Sequence, residues 1–308
     1  MKEQKTYRAD LHYHGPIGFE PYWLRVQGYK GKNLLQLIVD ACFKRKIDIC
    51  ALTSETDQYD KVSGIITRNS IHDRIGYLIE NCVSDLDKVR GYKADRFGLN
   101  SIVVEKNEKK TFLISGQTPI VLQPTVDRQN KRIDYLIFGS NAVPNGRNLV
   151  DTQKFCKDHG LSHGLEHPAV EAHFGIGLEE AKKYIGEAEF VEGHNSQIRL
   201  PRFMASVPKF GDYSKIKNEE AKEFARVYGK PYIATSDGHM IESAGRSYIE
   251  FDSKLVKDKD EENLLSSVRT AIKNNAFSTH ERYENIIDLC EWVIKFKWGV
   301  RGEKYKGK

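Results

Sequence analysis

Short apolar runs alternate along this chain with longer segments whose apolar residues recur every three or four positions. Short apolar runs of this kind predict buried β-strands, and the wider spacing predicts amphipathic helices. Strands that alternate with helices are typical of β/α units joined into a largely parallel sheet. Seven strands are predicted in this way, at Tyr7 to His12, Ile47 to Thr53, Thr111 to Ser115, Ile133 to Phe138, Leu161 to His167, Glu189 to His194 and Pro231 to Asp237.

The segments between these strands carry the signals of helix ends. An apolar stripe from Leu34 to Cys42 is followed by the basic run Lys44 to Lys46, which suits the negative end of a helix dipole. Gly160 and Gly229 follow two other periodic segments and predict left-handed helix ends. Further helices are predicted at about residues 148–159, 178–185, 218–228 and 262–274.

The composition is that of a large globular protein. Its 308 residues, 39% hydrophobic and 30% charged, allow one barrel-sized domain or two smaller ones. Its 48 Lys and Arg against 43 Asp and Glu give a mild net charge of +5, which favours anionic partners only where it is clustered. Residues 1–5 lack the apolar core of a signal peptide, and the scattered cysteines predict free buried thiols in a cytoplasmic protein. No stretch approaches the roughly 18 apolar residues of a membrane span.

Two of the predicted strands end in pairs of residues that are able to ligate a metal ion. The first strand leads to His12 and His14, and the last leads to Asp237 and His239. Because side chains two residues apart on a strand point to the same side, each pair can converge on one ion. A single pair of histidines is a weak indication, since histidine is also a common surface residue. The two pairs support each other.

Histidines also stand at the ends of two further predicted strands, as His167 and His194. In β/α barrels the functional side chains come from the C-terminal ends of the strands and from the loops that follow them. Four strands would therefore direct groups of this type at one rim. The sequence predicts a metal site there.

The order of four motifs resembles the polymerase and histidinol phosphatase (PHP) family. The motifs are Asp10 to His14, Glu166 to Pro168, Val191 to Asn195 and Ser236 to His239, and the resemblance covers about Tyr7 to Ser278. It implies a distorted seven-stranded (β/α)7 barrel, similar to a TIM barrel, over residues 1–280. It also implies a hydrolase of phosphomonoesters or phosphodiesters that uses divalent zinc, manganese or iron, with one to three ions per chain.

The chain departs from the family pattern in three motifs. After its second strand the family reads Thr-Asp-His, whereas this chain reads Thr53-Ser54-Glu55, so Ser54 replaces a carboxylate and Glu55, at best, replaces a histidine. Asp134 stands where the family often has another histidine. The family's Gly-x-Glu motif, which supplies a bridging carboxylate, reads Gly116-Gln117-Thr118. Carboxylates can replace imidazoles as ligands, but two neighbouring cations need negative charge between them to offset their repulsion. A reduced or altered metal cluster is therefore expected.

Individual roles follow from the resemblance and from the spacing. An ion held by His12, His14 and Asp237 would lower the pKa of its water toward 7 and polarise a phosphoryl oxygen. His239 and His167 are expected to complete a second metal site or to bind phosphate, and with Asp237 they are the predicted catalytic residues. The full set of predicted metal ligands is His12, His14, Glu55, Asp134, His167, His194, Asp237 and His239.

Other polar residues near the rim motifs are assigned supporting roles. Glu192 and Asn195 are expected to orient metal ligands rather than to bind the ion. Three arginines are candidates to bind phosphate, although a surface arginine is the simpler interpretation of each. They are Arg199, Arg202 and Arg246.

Two segments lie outside the simple barrel. Residues 57–110 form an insertion at the rim that contains an amphipathic stretch and a hairpin, and a substrate lid and an inert elaboration are equally compatible with it. Residues 281–308 predict a C-terminal helix and a basic tail. The helix would pack on the barrel or on a second subunit. The tail permits a nucleic-acid partner, but a small phosphorylated substrate is favoured.

Two alternative functions stay open. The missing carboxylates and the basic tail are also typical of an inactive PHP-like module that binds phosphate, nucleic acid or a protein. Amidohydrolase barrels likewise begin with His-x-His, but this chain has no obvious bridging lysine and places His239 beside Asp237. Because ligand-type groups stand at four strand ends, we expect an active phosphoesterase.

Overall fold

The computed structural model describes residues 6–16, 29, 31–55, 59–60, 65–66, 73–119, 121–124, 130–171, 174–197 and 210–284. The predicted arginines Arg199 and Arg202, and the predicted C-terminal helix beyond Glu284, lie outside these residues. Glu55 is described only in its backbone.

Fifteen strands are found within the described residues, including all seven that the sequence predicts. Their bounds are β1 (Thr6–Tyr13), β2 (Ile49–Glu55), β3 (Tyr59–Asp60), β4 (Ile65–Ile66), β5 (Tyr92–Arg96), β6 (Ser101–Lys106), β7 (Lys109–Thr118), β8 (Val121–Pro124), β9 (Asn130–Ile133), β10 (Tyr135–Phe138), β11 (Ser162–Leu165), β12 (Phe190–Asn195), β13 (Tyr232–Thr235), β14 (Tyr248–Asp252) and β15 (Ser278–His280).

Three helices begin with a capping side chain, and two glycines with positive φ follow helix ends. The side chains of Asn33, Asn148 and Asp260 each accept a hydrogen bond from a backbone N–H in the first turn of a helix. Gly160 and Gly229 have φ angles of 65° and 62°, as their predicted left-handed positions require. The helices are α1 (Leu34–Arg45), α2 (Arg74–Leu78), α3 (Ser84–Asp87), α4 (Leu149–Asp158), α5 (Leu178–Ala181), α6 (Phe210–Val227) and α7 (Glu261–Lys273), with a π-helical turn at Ile79–Val83 between α2 and α3.

The protein is a mixed α/β structure with a nearly closed, barrel-like sheet of nine strands. Their order is β13, β12, β11, β10, β7, β2, β1, β14 and β15. The sheet nearly closes because the backbone after the end strand β13 returns to β1, where the Asp237 N–H donates to the His12 carbonyl at 2.7 Å, and β14 and β15 continue the sheet beyond β1. The buried Asp10 strengthens this closure, since its carboxylate accepts hydrogen bonds from Ser236 and from the Gly245 N–H.

The largely parallel sheet that the sequence predicts needs a correction at β10. This strand runs antiparallel to both of its neighbours, β7 and β11. The physical reason is the connection that precedes it, because the β8–β9 hairpin stands where a helical crossover would be needed to keep the strands parallel. The strands β14 and β15, which the sequence did not predict, also pair antiparallel.

Apolar side chains fill the interior of the sheet below the rim. Alternate residues of the strands, such as Leu11, Ala51, Ile114 and Ile233, pack into one buried cluster. The opposite faces of the same strands pack against the surrounding helices, as expected for strands buried on both sides. Cys42, Cys50, Cys82 and Cys156 are buried free thiols, as predicted.

The described part of the 57–110 insertion packs on the outside of the barrel. Ile75, Leu78 and Ile102 join the buried cluster formed by α1. β5 and β6 extend the sheet beyond β7. No helix within the described residues is long and apolar enough to cross a membrane.

Candidate metal centre

β1 and the turn after β13 bring together the first group of potential ligands. His12, His14 and Asp237 each offer an atom, and the three atoms lie within 4.8 Å of one another. The two Nε2 atoms are 2.9 Å apart, and Asp237 Oδ1 lies 3.4 Å from the first and 3.1 Å from the second. A tetrahedral ion with bonds of about 2.0–2.1 Å spaces its donors by about 3.3 Å. The observed spacings fit such an ion.

Hydrogen bonds determine which nitrogen of each imidazole faces this group. His12 Nδ1 lies 2.7 Å from Glu192 Oε1, and His14 Nδ1 lies 3.0 Å from the Thr53 carbonyl. Both partners accept, so both Nδ1 atoms carry hydrogen and donate. The two Nε2 atoms are left facing each other, an arrangement that needs a proton or a metal cation between them. A metal ion fits here because histidine ligands typically donate their other nitrogen to a carboxylate or a carbonyl.

Glu192 is buried and both of its oxygens are occupied. One accepts from His12 and from the Thr235 hydroxyl, and the other accepts from the His167 N–H at 2.9 Å and from the Asn195 amide at 3.2 Å. Asn195 also donates to Asp237 Oδ2 at 2.9 Å, which leaves Asp237 Oδ1 toward the histidines. Glu192 and Asn195 therefore hold the potential ligands in place.

A second group of potential ligands adjoins the first and consists of Asp134, Glu166 and His167. Glu166 and His167 follow β11, whereas Asp134 precedes the antiparallel β10. The start of an antiparallel strand lies at the same edge as the end of its neighbours, and Tyr135 is indeed paired with Leu165. The reversed strand thus places Asp134 beside Glu166.

The backbone is strained at both groups. Asp237 has a φ angle of 47° and His167 one of 24°, in the left-handed region that non-glycine residues rarely adopt. Such conformations cost about 1–3 kcal/mol each and occur preferentially at functional sites.

The buried carboxylates dominate the electrostatics. Burial opposes protonation of His12, but the charges of Asp237, Glu166 and Glu192 outweigh it and raise the pKa of His12 well above its usual value. Burial likewise opposes protonation of His167, but the hydrogen bond and charge of Glu166, with the charges of Glu192 and Asp134, raise its pKa to about 10. The cluster attracts positive charge.

The other predicted ligands have different environments. His194 is in neither group, since it contacts Asn218, Tyr283 and the Arg282 carbonyl. The reason is a register shift in β12 between Glu192 and His194, which turns Asn195 rather than His194 to the side of Glu192. His239 lies at the mouth of the first group, with its ring 4.5 Å from that of His14.

Of the predicted phosphate-binding arginines, Arg246 is within the described residues. Its guanidinium donates to the buried Glu284 at 2.8 Å. Phosphate binding by Arg246 stays a prediction, and it would require this ion pair to be shared or broken.

Glu166 was not among the ligands predicted from the sequence, although it belongs to one of the quoted motifs. Its Oε1 atom lies 3.5 Å from His12 Nε2 and 3.3 Å from His167 Nε2, between the two groups. The signal in the sequence was a carboxylate directly before a histidine at a strand end. The importance of Thr53 was not predictable, because it acts through its backbone carbonyl.

Comparisons with known proteins bear on the family and on the fold. A family model described as PHP-associated matches residues 215–271, a region that includes Asp237 and His239. This match supports a PHP family protein. It confirms the resemblance inferred from the motifs. No curated protein matches the sequence at a significant level.

A solved structure supports the fold alone. The crystal structure of PsfC from Pseudomonas syringae PB-5123 is similar, with a TM-score of 0.55 and 10% sequence identity. The similarity covers 94% of this chain and 97% of that one. The chain and PsfC therefore share an overall architecture across nearly their whole lengths.

Proposed function

We propose that this protein is a metal-dependent hydrolase that cleaves phosphoester bonds in a small phosphorylated molecule. The observation that carries the proposal is the convergence of His12, His14 and Asp237, whose ligand atoms lie within 4.8 Å of one another. The PHP-associated match over the segment that contains Asp237 adds support, because it points to the same family that the four motifs resemble.

The chain's own residues supply orientation, charge and access. A divalent ion at this centre, such as zinc, manganese or iron, would supply Lewis-acid charge and lower the pKa of water. Glu192 and the Thr53 carbonyl hold the two imidazoles so that both Nε2 atoms point inward. Asn195 holds one oxygen of Asp237 and leaves the other for the ion.

Substrate would approach from the side of Asp237 and His239. The side chain of His12 is fully buried, whereas those of Asp237 and His239 are 15% and 19% exposed. His239 Nδ1 lies 2.9 Å from the Asp237 carbonyl, which makes Nδ1 the proton-bearing nitrogen and leaves the lone pair on Nε2. His239 is thus placed to accept a proton at the mouth of the site and, once protonated, to donate a hydrogen bond to phosphate.

The test is turnover of p-nitrophenyl phosphate and bis-p-nitrophenyl phosphate by the wild type and by Asp237→Asn, with added Mn²⁺ or Zn²⁺. We expect metal-dependent turnover that falls at least about 100-fold in the variant, since even residues that only orient a metal ligand contribute about 10–100-fold. Asp258→Asn is a matched control, because this carboxylate pairs with Lys110 near the start of β7. A wild type that stays inert with every metal, or an active Asp237→Asn, would contradict the proposal.

A binding module without catalysis is a second candidate, and one observation favours it. Thr118 stands where the PHP family carries a bridging carboxylate. A wild-type protein that cleaves neither phosphoester but still binds inorganic phosphate or an oligonucleotide would support this alternative. Nucleic-acid binding would then be tested by removing the basic tail.

A further inference from the structure

We propose that Glu166 supplies the carboxylate that bridges two metal ions, in place of the glutamate that the PHP family carries at the position of Thr118. This inference depends on metal binding at the proposed site and goes beyond the hydrolase assignment. It predicts a dinuclear centre built with a ligand from a different strand.

The first argument is the position of Glu166 between the two ligand groups. Its Oε1 atom lies 3.5 Å from the Nε2 atom of His12, which belongs to the first group. The same atom lies 3.3 Å from the Nε2 atom of His167, which belongs to the second. A buried carboxylate that is close to ligands of both groups can contribute to both ions.

The second argument is the hydrogen bond from Thr118. The Thr118 hydroxyl donates to Glu166 Oε2 at 2.9 Å. Thr118 ends β7, and Glu166 follows β11, so the two residues approach the site from strands on either side of β10. The residue that replaces the family's bridging carboxylate therefore contacts and orients a carboxylate from another strand.

The third argument comes from His167. The residue is 5% exposed, and its Nδ1 atom is buried without a hydrogen-bond partner among the described residues. Buried polar atoms are nearly always satisfied, and an unsatisfied one needs an explanation such as an ion. His167 shares its ligand group with Glu166 and Asp134, whose carboxylates supply negative charge for a second cation.

Two neighbouring cations need a carboxylate between them, but the charge balance does not depend on which strand supplies it. Two cations that share a site are typically about 3.5–4 Å apart and need negative charge between them. Thr118 carries no charge, so Glu166 takes over that role.

The experiment measures the stoichiometry and the magnetic coupling of bound Mn²⁺ in the full chain. We expect two ions per chain for the wild type, with an exchange-coupled electron paramagnetic resonance spectrum. Glu166→Gln keeps the volume of the side chain, and we expect it to bind one ion with an uncoupled spectrum. The control Glu187→Gln alters a surface carboxylate paired with Lys157 and should bind as the wild type does.

An exchange variant tests the reciprocal prediction. Glu166→Thr combined with Thr118→Glu returns the carboxylate to the family's position, and we expect it to recover two coupled ions. If the exchanged pair does not fold, as shown by circular dichroism, Thr118→Val serves instead. This variant removes the orienting hydroxyl and should weaken binding of the second ion by about 10–100-fold.

Two outcomes would overturn the inference: a wild type that binds one ion at saturating Mn²⁺, or a Glu166→Gln variant that keeps two coupled ions. Neither outcome depends on turnover. If the wild type holds two coupled ions but cleaves no phosphoester, the proposed hydrolase fails and the bridge stands. If it cleaves phosphoesters with one ion, the bridge fails and the hydrolase stands.

Discussion

Glu192 Oε1 lies 2.7 Å from the Nδ1 atom of His12, and this contact directs the opposite nitrogen of the imidazole toward His14 and Asp237. Burial opposes ionisation of Glu192, but the charge and hydrogen bond of His12 and the charge of His167 lower its pKa below the usual value. An ionised carboxylate at this position makes the imidazole a stronger metal ligand.

Replacing Glu192 with glutamine should therefore weaken metal binding without removing a ligand. We expect Glu192→Gln to lower the affinity for Mn²⁺ by about 10–100-fold, because the amide can still accept from His12 but carries no charge. Isothermal titration calorimetry measures the change. Glu250→Gln, which alters a carboxylate paired with Arg8, should leave the affinity unchanged. Equal affinities for Glu192→Gln and the wild type would show that the charge is irrelevant.

Metal removal should destabilise the protein. An ion present at 100 times its dissociation constant stabilises the folded state by about 2.7 kcal/mol, which corresponds to roughly 4 °C in Tm for a domain of this size. Differential scanning calorimetry with and without a chelator measures the shift. Asp237→Asn provides the comparison, since a chain that has lost a ligand should show little or no shift. A wild-type Tm that is indifferent to both chelator and added metal would contradict the metal centre.

The strand-end pairs were predictable because the argument needs only local geometry. The convergence of His12 and His14 follows from the rule that side chains two residues apart share one side of a strand. Asp237 joins them from the turn after β13, whereas its predicted partner His239 lies at the mouth of the group. The order of the motifs then indicated the PHP family, which the match over residues 215–271 supports. Patterns of this kind involve residues that are close together in the sequence, so they can be recognised without knowing how distant segments pair.

Two features were not predictable because they depend on how strands pair. Asp134 was expected as a ligand from the order of the motifs, but it reaches the second group because β10 runs antiparallel, and strand direction cannot be read from an apolar run. The register shift in β12 reverses the alternation that would place His194 beside Glu192. Both features arise from pairing between distant segments.

The turn that follows His167 leaves no room for a side chain at Gly175. A Cβ atom there would lie 2.5 Å from the carbonyl oxygen of His167 and 2.7 Å from that of Val170. Because these are backbone atoms, Gly175→Ala should force the turn to shift and destabilise the protein by about 1–3 kcal/mol. Urea denaturation measures the loss, and Gly186→Ala is the control, since its Cβ would meet nothing within 4 Å. Equal effects of the two substitutions would contradict this account.

His163 lies in β11, away from the candidate metal centre, and should make the free energy of unfolding depend on pH. Burial is the main reason that its pKa falls to about 4, with Arg269 and Lys273 adding to the effect and Glu189 and Glu187 opposing it. Tyr135 OH lies 2.6 Å from His163 Nδ1 and also accepts from the Gln153 amide, so the hydroxyl donates to a neutral imidazole.

The sign of the effect follows from the order in which the two states take up a proton. The unfolded chain binds it near pH 6.5 and the folded protein only near pH 4, so stability falls as the pH drops through this window and is fully present above it. The loss due to His163 is about 3 kcal/mol. We expect His163→Asn, whose amide oxygen can still accept from Tyr135, to lose less stability than the wild type between pH 6.5 and 4. Urea denaturation across this range measures both, and parallel curves for the two proteins would show that His163 takes up its proton equally easily in both states.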